Sequence, residues 1–295
     1  MVGRIRSFTL FLLKKCARFF PDRFYLSIVY YLRLGRRLNL DDPQLFTEKL
    51  QWLKLYYHRP ECTVMVDKHL AKQWVADRIG ERYVIPSLGV WDRVEDIDFD
   101  ALPDQFVLKC THDNGSVVVC KDKTSFDKRA AQVKLNRYLQ RDFYAQTREW
   151  PYKHVPHRII AEAYLDAGEE DLMDYKFLCF NGVPKAMYVA ANRSTCKTFN
   201  YYDMDFQPMP IKSRVGAAST ERLDKPASFD EMKRIAAELS AGFPHVRVDL
   251  YCVRNHIWWG EMTFFDSSGY DDICSLSWDR AFGAWLNLPP KWVSE

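Results

Sequence analysis

Two carboxylates are set into otherwise apolar stretches of this chain. Asp249 lies in His245-Val246-Arg247-Val248-Asp249-Leu250-Tyr251-Cys252, and Glu261 in Ile257-Trp258-Trp259-Gly260-Glu261-Met262-Thr263-Phe264. Each stretch has the length of a strand, and the polar bridge Val253-Arg254-Asn255-His256 reads as the turn of a β-hairpin. Paired in that way, both carboxylates can point to one face, close enough to share a cation. A buried carboxylate needs a partner, and the choices are a metal ion or ion pairs with Arg247 and Arg254. Upstream, a strand over 105–110 brings Lys109 to the edge of Thr111-His112-Asp113-Asn114-Gly115, and Ser116 opens a second strand. A lysine before a Gly-containing loop can face a phosphate while the loop's N–H groups cradle the anion. The same residues also suit an ordinary Asn-Gly hairpin turn. A third pair, Asp203 and Asp205, forms a DxD triplet that could hold a metal and a sugar diphosphate.

Several elements must position these groups. A helix is predicted from Thr47-Glu48 to about residue 57. A second runs to Gly80, with Val66, Leu70 and Trp74 on one stripe and Asp67, Lys68 and Lys72 off it. A short strand at 83–85 precedes an acidic connection over 92–104, and helical spacing returns from Phe126 to about Thr147. A strand over 158–165 leaves through the acidic run Glu169-Glu170-Asp171. Residues 174–180 and 184–191 form a hairpin about Asn181-Gly182, and a further strand covers 199–206. Residues 208–226 have no period and suit a loop over a site. Ser228 and Glu231 read as a capping box before an amphipathic helix, and a closing helix is expected around 278–288.

The 295 residues can build one large domain or two medium ones, and 47% hydrophobic with 15% aromatic content describes a folded protein. A net charge of +3 is too weak a bias to argue for nucleic acid. Eight cysteines without a CxxC pair fit a reduced, cytoplasmic setting with neither disulfide framework nor zinc knuckle. Residues 1–37 mix Arg and Lys with Phe and Leu, and their apolar run is too short to span a bilayer. They suit either a helical cap packed on the main domain or a helix lying at the inner face of a membrane as a peripheral contact.

In chain order stand a lysine before a Gly loop, a strand with an acidic exit and a late hairpin with two carboxylates, the parts that nucleotide-dependent ligation requires. Neither a Walker A loop nor a Rossmann glycine signature is present. Through FTEKLQWLK (46–54), VDKHLAK (66–72), LPDQFVLKCTHDNG (102–115), DYKFLCFNG (174–182) and RVDLY with GEMTFFDSSG (247–251 and 260–269), the sequence resembles the TupA-like, teichuronopeptide-biosynthesis branch of the ATP-grasp superfamily. The likeness covers about residue 20 to the end.

That resemblance implies an α+β ATP-grasp fold: a helical extension over 1–40, then a domain over 41–295 whose two α+β lobes, about 61–160 and 161–290, grip ATP. It implies ATP and Mg2+ as cofactors and a ligase that activates a carboxylate as an acylphosphate for an amine or similar nucleophile. The expected partners are a small carboxylic or amino acid and a saccharide-type acceptor of surface polysaccharide. Carried over by position, Lys68 and Lys109 resemble phosphate-contacting lysines, and Gly115 and Ser116 fall in the loop covering the phosphates. Glu162, Tyr164 and Leu165 fall in the adenine-binding linker, and Glu169 at the ribose-binding acid. Asp249 and Glu261 match magnesium carboxylates, and Arg247 the arginine beside the transferring phosphate. Thr263 departs from the Asn usual at the third metal position, and the roles of His112 and Asp113 stay open. Lys176 either contacts phosphate or faces solvent. The competing readings are a metal-dependent glycosyltransferase built on Asp203 and Asp205 and a catalytically silent nucleotide-binding partner. Retention of both lysines and both metal carboxylates argues against the silent partner.

Overall fold

The computed structural model describes residues 2–168, 172–191, 198–211, 223–270 and 275–291. Two antiparallel sheets carry the charged residues named above. The first contains β1 (Ser87–Trp91), β2 (Phe106–Cys110), β3 (Val118–Cys120) and β4 (Ile159–Ala163) in the order β1-β4-β2-β3. The second contains β5 (Asp174–Phe180), β6 (Val183–Ala191), β7 (Thr198–Tyr202), β8 (His245–Val253) and β9 (His256–Thr263) in the order β7-β6-β5-β8-β9. The expected hairpins form, and their turns explain their register. Asn181-Gly182 and Arg254-Asn255 all have positive φ, the geometry of two-residue turns whose twist matches the strands. The bridge between β8 and β9 is therefore two residues, not four, and Val253 pairs with His256.

Helices α1 (Val2–Lys15), α2 (Asp22–Leu34), α3 (Phe46–Tyr56), α4 (Glu61–Val66), α5 (Leu70–Ile79), α6 (Lys128–Leu139), α7 (Phe143–Thr147), α8 (Phe229–Ser240) and α9 (Leu276–Trp285) surround the sheets. Where these depart from the expected elements, a local hydrogen bond decides. The long helix expected up to Gly80 breaks into α4 and α5 because Asp67 Oδ1 accepts the N–H groups of His69 and Leu70 at 2.8 and 3.2 Å. The helix expected over 126–147 breaks because Asp142 accepts from Ala145 N at 2.8 Å and starts α7. Of the strand expected at 83–85, Tyr83 ends a 3-10 turn over Glu81–Tyr83 and only Val84 pairs, in a single bridge to Trp259; β1 begins beyond Pro86, which has no N–H for a ladder. The strand over 199–206 stops at Tyr202 because Asp203 Oδ1 accepts from Asp205 N and Gln207 N. The capping box before α8 does not form: Ser228 contacts Cys252, and Glu231 bonds Arg234 and Tyr83. Helix α8 rests instead on Met232, Ile235, Ala236 and Leu239, all fully buried.

The larger core lies between the second sheet and α3, α4, α5 and α8. A smaller one lies under the first sheet with Leu135 of α6. Residues 61–80 thus pack on the larger core, while β4 completes the first sheet. A third cluster, Leu13, Ala17, Tyr25, Leu26 and Val29, joins α1 to α2 and reaches Leu55 and Tyr270. Helix α2 is keyed to the main body through a buried polar hub. Asp279, 0% exposed, accepts from Arg36 at 2.6 Å and from Thr47 N and Oγ1 at 2.9 and 2.8 Å, and Tyr30 shares the Thr47 hydroxyl. No helix among the described residues is long and apolar enough to cross a membrane. The six described cysteines are free thiols, and Cys196 and Cys274 lie outside the described residues.

Candidate functional site

One row of polar side chains crosses the second sheet. Register pairs Tyr188 of β6 with Lys176 of β5, Lys176 with Asp249 of β8, and Asp249 with Glu261 of β9. The last pairing depends on a bulge. β9 has one more residue than β8 at this point, so Leu250 faces Trp259 while Asp249 faces Glu261, and Gly260 is the extra residue. Without that insertion Glu261 would move to the opposite face of the sheet, because side chains alternate along a strand. Gly260 suits the position: a Cβ there would meet the Tyr251 ring at 2.9 Å and the Asp249 carbonyl at 3.2 Å. The two carboxylates thus share one face.

Arg247 stands two residues before Asp249 on that face and ties the group together. Its Nε donates to Asp249 Oδ1 at 2.6 Å, its Nη2 to Asp249 Oδ2 at 2.7 Å and to Glu261 Oε1 at 2.8 Å, and its Nη1 to Asp266 and to Tyr188 Oη. Lys176 is buried between Asp249 and Asp174, the latter at 2.6 Å. It faces neither solvent nor open cleft. Burial alone would lower the Lys176 ammonium, but the two carboxylates hold it above its ordinary value. Burial pushes the Asp249 carboxyl up to about 6, against the pull of Arg247 and Lys176 towards the ionised form. Glu261 behaves differently. Burial would raise it too, but Arg247, Lys176, Lys68 and Lys109 outweigh that and bring it down to about 2. Its side chain is 40% exposed, against 1% for Asp249. Thr263 Oγ1 donates to Glu261 Oε1 at 3.2 Å.

The charges of Lys68 and Lys109 reach Glu261 from the first sheet and the segment beside it. Lys109 of β2 and Lys72 of α5 share the buried carboxylate of Glu162 on β4, at 2.5 and 2.7 Å. Lys68 sits in the break between α4 and α5. Its N–H donates to Thr111 O at 3.2 Å and its ammonium to the Asp113 carbonyl. Asp67 beside it is fully buried and held by Arg158 at 3.0 Å. The helix break therefore fixes Lys68 against the β2–β3 loop. Inside that loop the Ser116 hydroxyl donates to Asp113 Oδ1 at 2.8 Å and accepts from Cys110 N at 2.8 Å, so it ties the loop to itself. Gly115 has φ +89°, and Tyr138 closes the space beside it. Asp113 Oδ2 is buried without a hydrogen-bond partner among the described residues. The buried His112 ring stacks on His157 at 3.7 Å, and burial pushes it down to about 4, so it is neutral.

The residues singled out in the sequence thus fall into two groups. Arg247, Lys176, Asp249, Glu261 and Thr263 form one, and Lys68, Lys109, Gly115, Ser116 and Glu162 the other, with electrostatics linking them at Glu261. Tyr164 and Leu165 follow β4 and are half-buried. Glu169 and most of the 208–226 segment lie outside the described residues. Three members were missed. Lys72 lies four residues beyond Lys68 in VDKHLAK, already inside α5, and joins Lys109 only through Glu162. Asp266 and Tyr188 join only through the fold. Asp203, by contrast, caps its own turn, and β7 is three strands away from β8.

Two carboxylates on neighbouring strands, one of them half-open, are hard oxygen donors that suit a small divalent cation. Lys68 and Lys109, whose charges reach Glu261, suit a polyphosphate. The lysines fit the polyphosphate and the half-open Glu261 fits the cation, whereas both Asp249 oxygens already accept from Arg247 and Lys176, so a cation reaches Asp249 only by displacing one of them.

A family model described as TupA-like ATPgrasp matches residues 48–287. No curated protein matches. Among solved structures, D-alanine–D-alanine ligase from Bacillus anthracis complexed with ATP is 14% identical at a TM-score of 0.39, covering 74% of this chain and 55% of that one. The same ligase from Helicobacter pylori is 11% identical at 0.42, covering 82% and 69%. The ATP-grasp ligase PsnB, complexed with a phosphomimetic variant of its minimal precursor, Mg and ADP, is 13% identical at 0.38, covering 81% and 64%. The chain spans little more than half the length of the first of these.

Proposed function

The chain belongs to the TupA-like ATP-grasp family, and from that membership we propose that it is an ATP- and magnesium-dependent, ADP-forming ligase that joins a carboxylic acid to an amine or similar nucleophile. Lys68 and Lys109, with Lys72 beside them, neutralise the phosphates of ATP in a partly desolvated cleft, where such contacts are strong. Glu162 positions Lys109 and Lys72 by sharing its carboxylate between them. Tyr164 and Leu165, on the chain leaving β4, flank the adenine. Asp249 and Glu261 would hold magnesium, which would supply positive charge against the phosphates. Lys176 favours the ionised form of Asp249, and Thr263 orients Glu261 through the 3.2 Å hydrogen bond. Arg247 faces the transferring phosphoryl group and the carboxylate that receives it, where charge stabilisation contributes most. The acid's oxygen takes the γ-phosphoryl group and ADP departs. The nucleophile then attacks the acyl carbon, loses its proton and displaces phosphate. The acid is a small carboxylic or amino acid and the acceptor a saccharide of surface polysaccharide, a reading supported by the family alone.

The observation that carries the proposal is the cross-strand pairing of Asp249 with Glu261 on a face whose charges reach Lys68 and Lys109. The test incubates the protein with ATP, magnesium and small acids drawn from a lysate, labelled with 18O in the carboxylate. ADP release that needs the acid, with 18O appearing in the phosphate, is the expected result. Consumption of a nucleotide sugar without ATP would favour the glycosyltransferase reading instead. The use of Asp203 Oδ1 in its own turn weighs against that reading.

A further inference from the structure

Charge is divided unevenly along this chain. Residues 1–37 hold nine Arg and Lys and a single acid, Asp22, for +8 in a protein of net charge +3; the remainder carries −5. Such asymmetry marks a segment that meets an anionic partner. The fold then shows what else the segment presents. Helix α1 turns Leu13 inward, with Ala17 just beyond its end, against Tyr25, Leu26 and Val29. Its outer stripe is apolar: Phe8, Phe11 and Leu12 are 62, 54 and 46% exposed at i, i+3 and i+4. Lys15 follows one turn later, its ammonium 4.6 Å from the Phe11 ring. Phe19 and Phe24, 85 and 52% exposed, continue the display at the turn into α2. Among the described residues, every exposed phenylalanine lies between positions 8 and 24. Arg6, Arg33 and Arg37 are exposed in the same two helices or just past them.

Large apolar groups concentrated in this way mark an interaction surface. The mixture of exposed rings with cations on a helix too short to span selects the partner. We propose that α1 and the α1–α2 turn form a docking face for the surface of an anionic lipid bilayer. The rings enter the boundary between headgroups and acyl chains, and the Arg and Lys side chains meet lipid phosphates, each worth about fivefold in partition near an anionic surface.

The docking face is tied to the candidate site. Arg148 donates to Ala17 O at 2.5 Å and Phe20 O at 3.2 Å and pairs with Asp22 at 2.7 Å, and Tyr25 donates to Gln146 O at 2.8 Å. One residue on, Glu149 lies near Lys54, whose ammonium donates to Thr147 O and to Ser268 O at 2.9 and 2.8 Å. Ser268 belongs to the loop whose Asp266 grips Arg247. The bilayer-facing helices therefore rest on the two segments that back Arg247, which holds the catalytic face at a fixed offset from the membrane.

The full chain is tested by flotation with phosphatidylcholine vesicles, with and without phosphatidylglycerol, at low and high salt. Partition should rise about tenfold or more with the anionic lipid and fall at high salt. The combined variant Phe8→Ser, Phe11→Ser, Phe19→Ser should lower it about tenfold or more. Because those rings are exposed, thermal unfolding should not move. Recovery in the bottom fraction whatever the lipid, or equal flotation of the serine variant, overturns the proposal. So does light scattering that shows a dimer which the serine variant dissolves, for then the face meets a second copy.

Discussion

Lys109 and Lys72 draw on one carboxylate between them, so the pair retains positive charge to offer an anion. A charge-assisted contact from such a lysine to phosphate contributes roughly 1.5–3 kcal/mol, so Lys109→Met should weaken ATP about 10- to 150-fold. Calorimetry reads this directly, and unchanged affinity with an intact fold would make Lys109 an ordinary hairpin residue. Two buried histidines give a pH signature. Burial pushes both His112 and His245 down to about 4, the latter wedged against Phe46 and Phe180 at 4.9 Å from each. Unfolded, both titrate near the ordinary value of about 6.5. Between pH 6.5 and 4 the unfolded chain thus binds more protons, and stability falls as pH drops, by up to about 3 kcal/mol for each histidine. Urea midpoints across that window should show the decline, which the raised Asp249 carboxyl opposes in part, and His245→Gln should make it clearly smaller. At this scale the chain was legible wherever chemistry and spacing coincide, as at Arg247, Asp249 and Glu261. Asp266 and Tyr188 gave no signal, because their only link to Arg247 is three-dimensional.

Hairpin turns are written in single residues, which is why β5–β6 and β8–β9 could be read from Asn181-Gly182 and from the polar bridge. The bulge at Gly260 could not be read, since one extra residue in an apolar run changes neither composition nor the apparent period. Yet it decides which face Glu261 occupies. Gly260→Ala should cost about 1–3 kcal/mol of stability as the Tyr251 ring gives way, and magnesium-dependent ADP release should fall as Glu261 loses its register. A wild-type melting temperature with wild-type turnover would show that the sheet absorbs the methyl group without consequence. The break between α4 and α5 was hidden for a related reason: Val66, Leu70 and Trp74 keep helical spacing through it. The side chain of Asp67 overrides that period and leaves Lys68 at a corner.

For the whole molecule, the two sheets and their shared electrostatics at Glu261 matter more than any single element. The order β1-β4-β2-β3 inserts a late strand between two early ones, a pairing that local patterns do not encode. A helical cap packed on the main domain was one of the two readings of residues 1–37, but its contacts were not legible, because Arg36 and Asp279 lie 243 residues apart. Asp279→Asn keeps the shape and removes the charge. With a 0% exposed carboxylate serving Arg36 and Thr47, it should cost about 3–5 kcal/mol in urea unfolding; a loss below about 1 kcal/mol would mean the hub is incidental. Whether lysines and carboxylates together bind magnesium and ATP is read by titrating ATP into the wild type and Glu261→Gln, each with and without magnesium. Magnesium should tighten ATP binding on the wild type about tenfold or more and have almost no effect on the near-isosteric variant. Equal tightening by magnesium in both proteins would contradict that expectation.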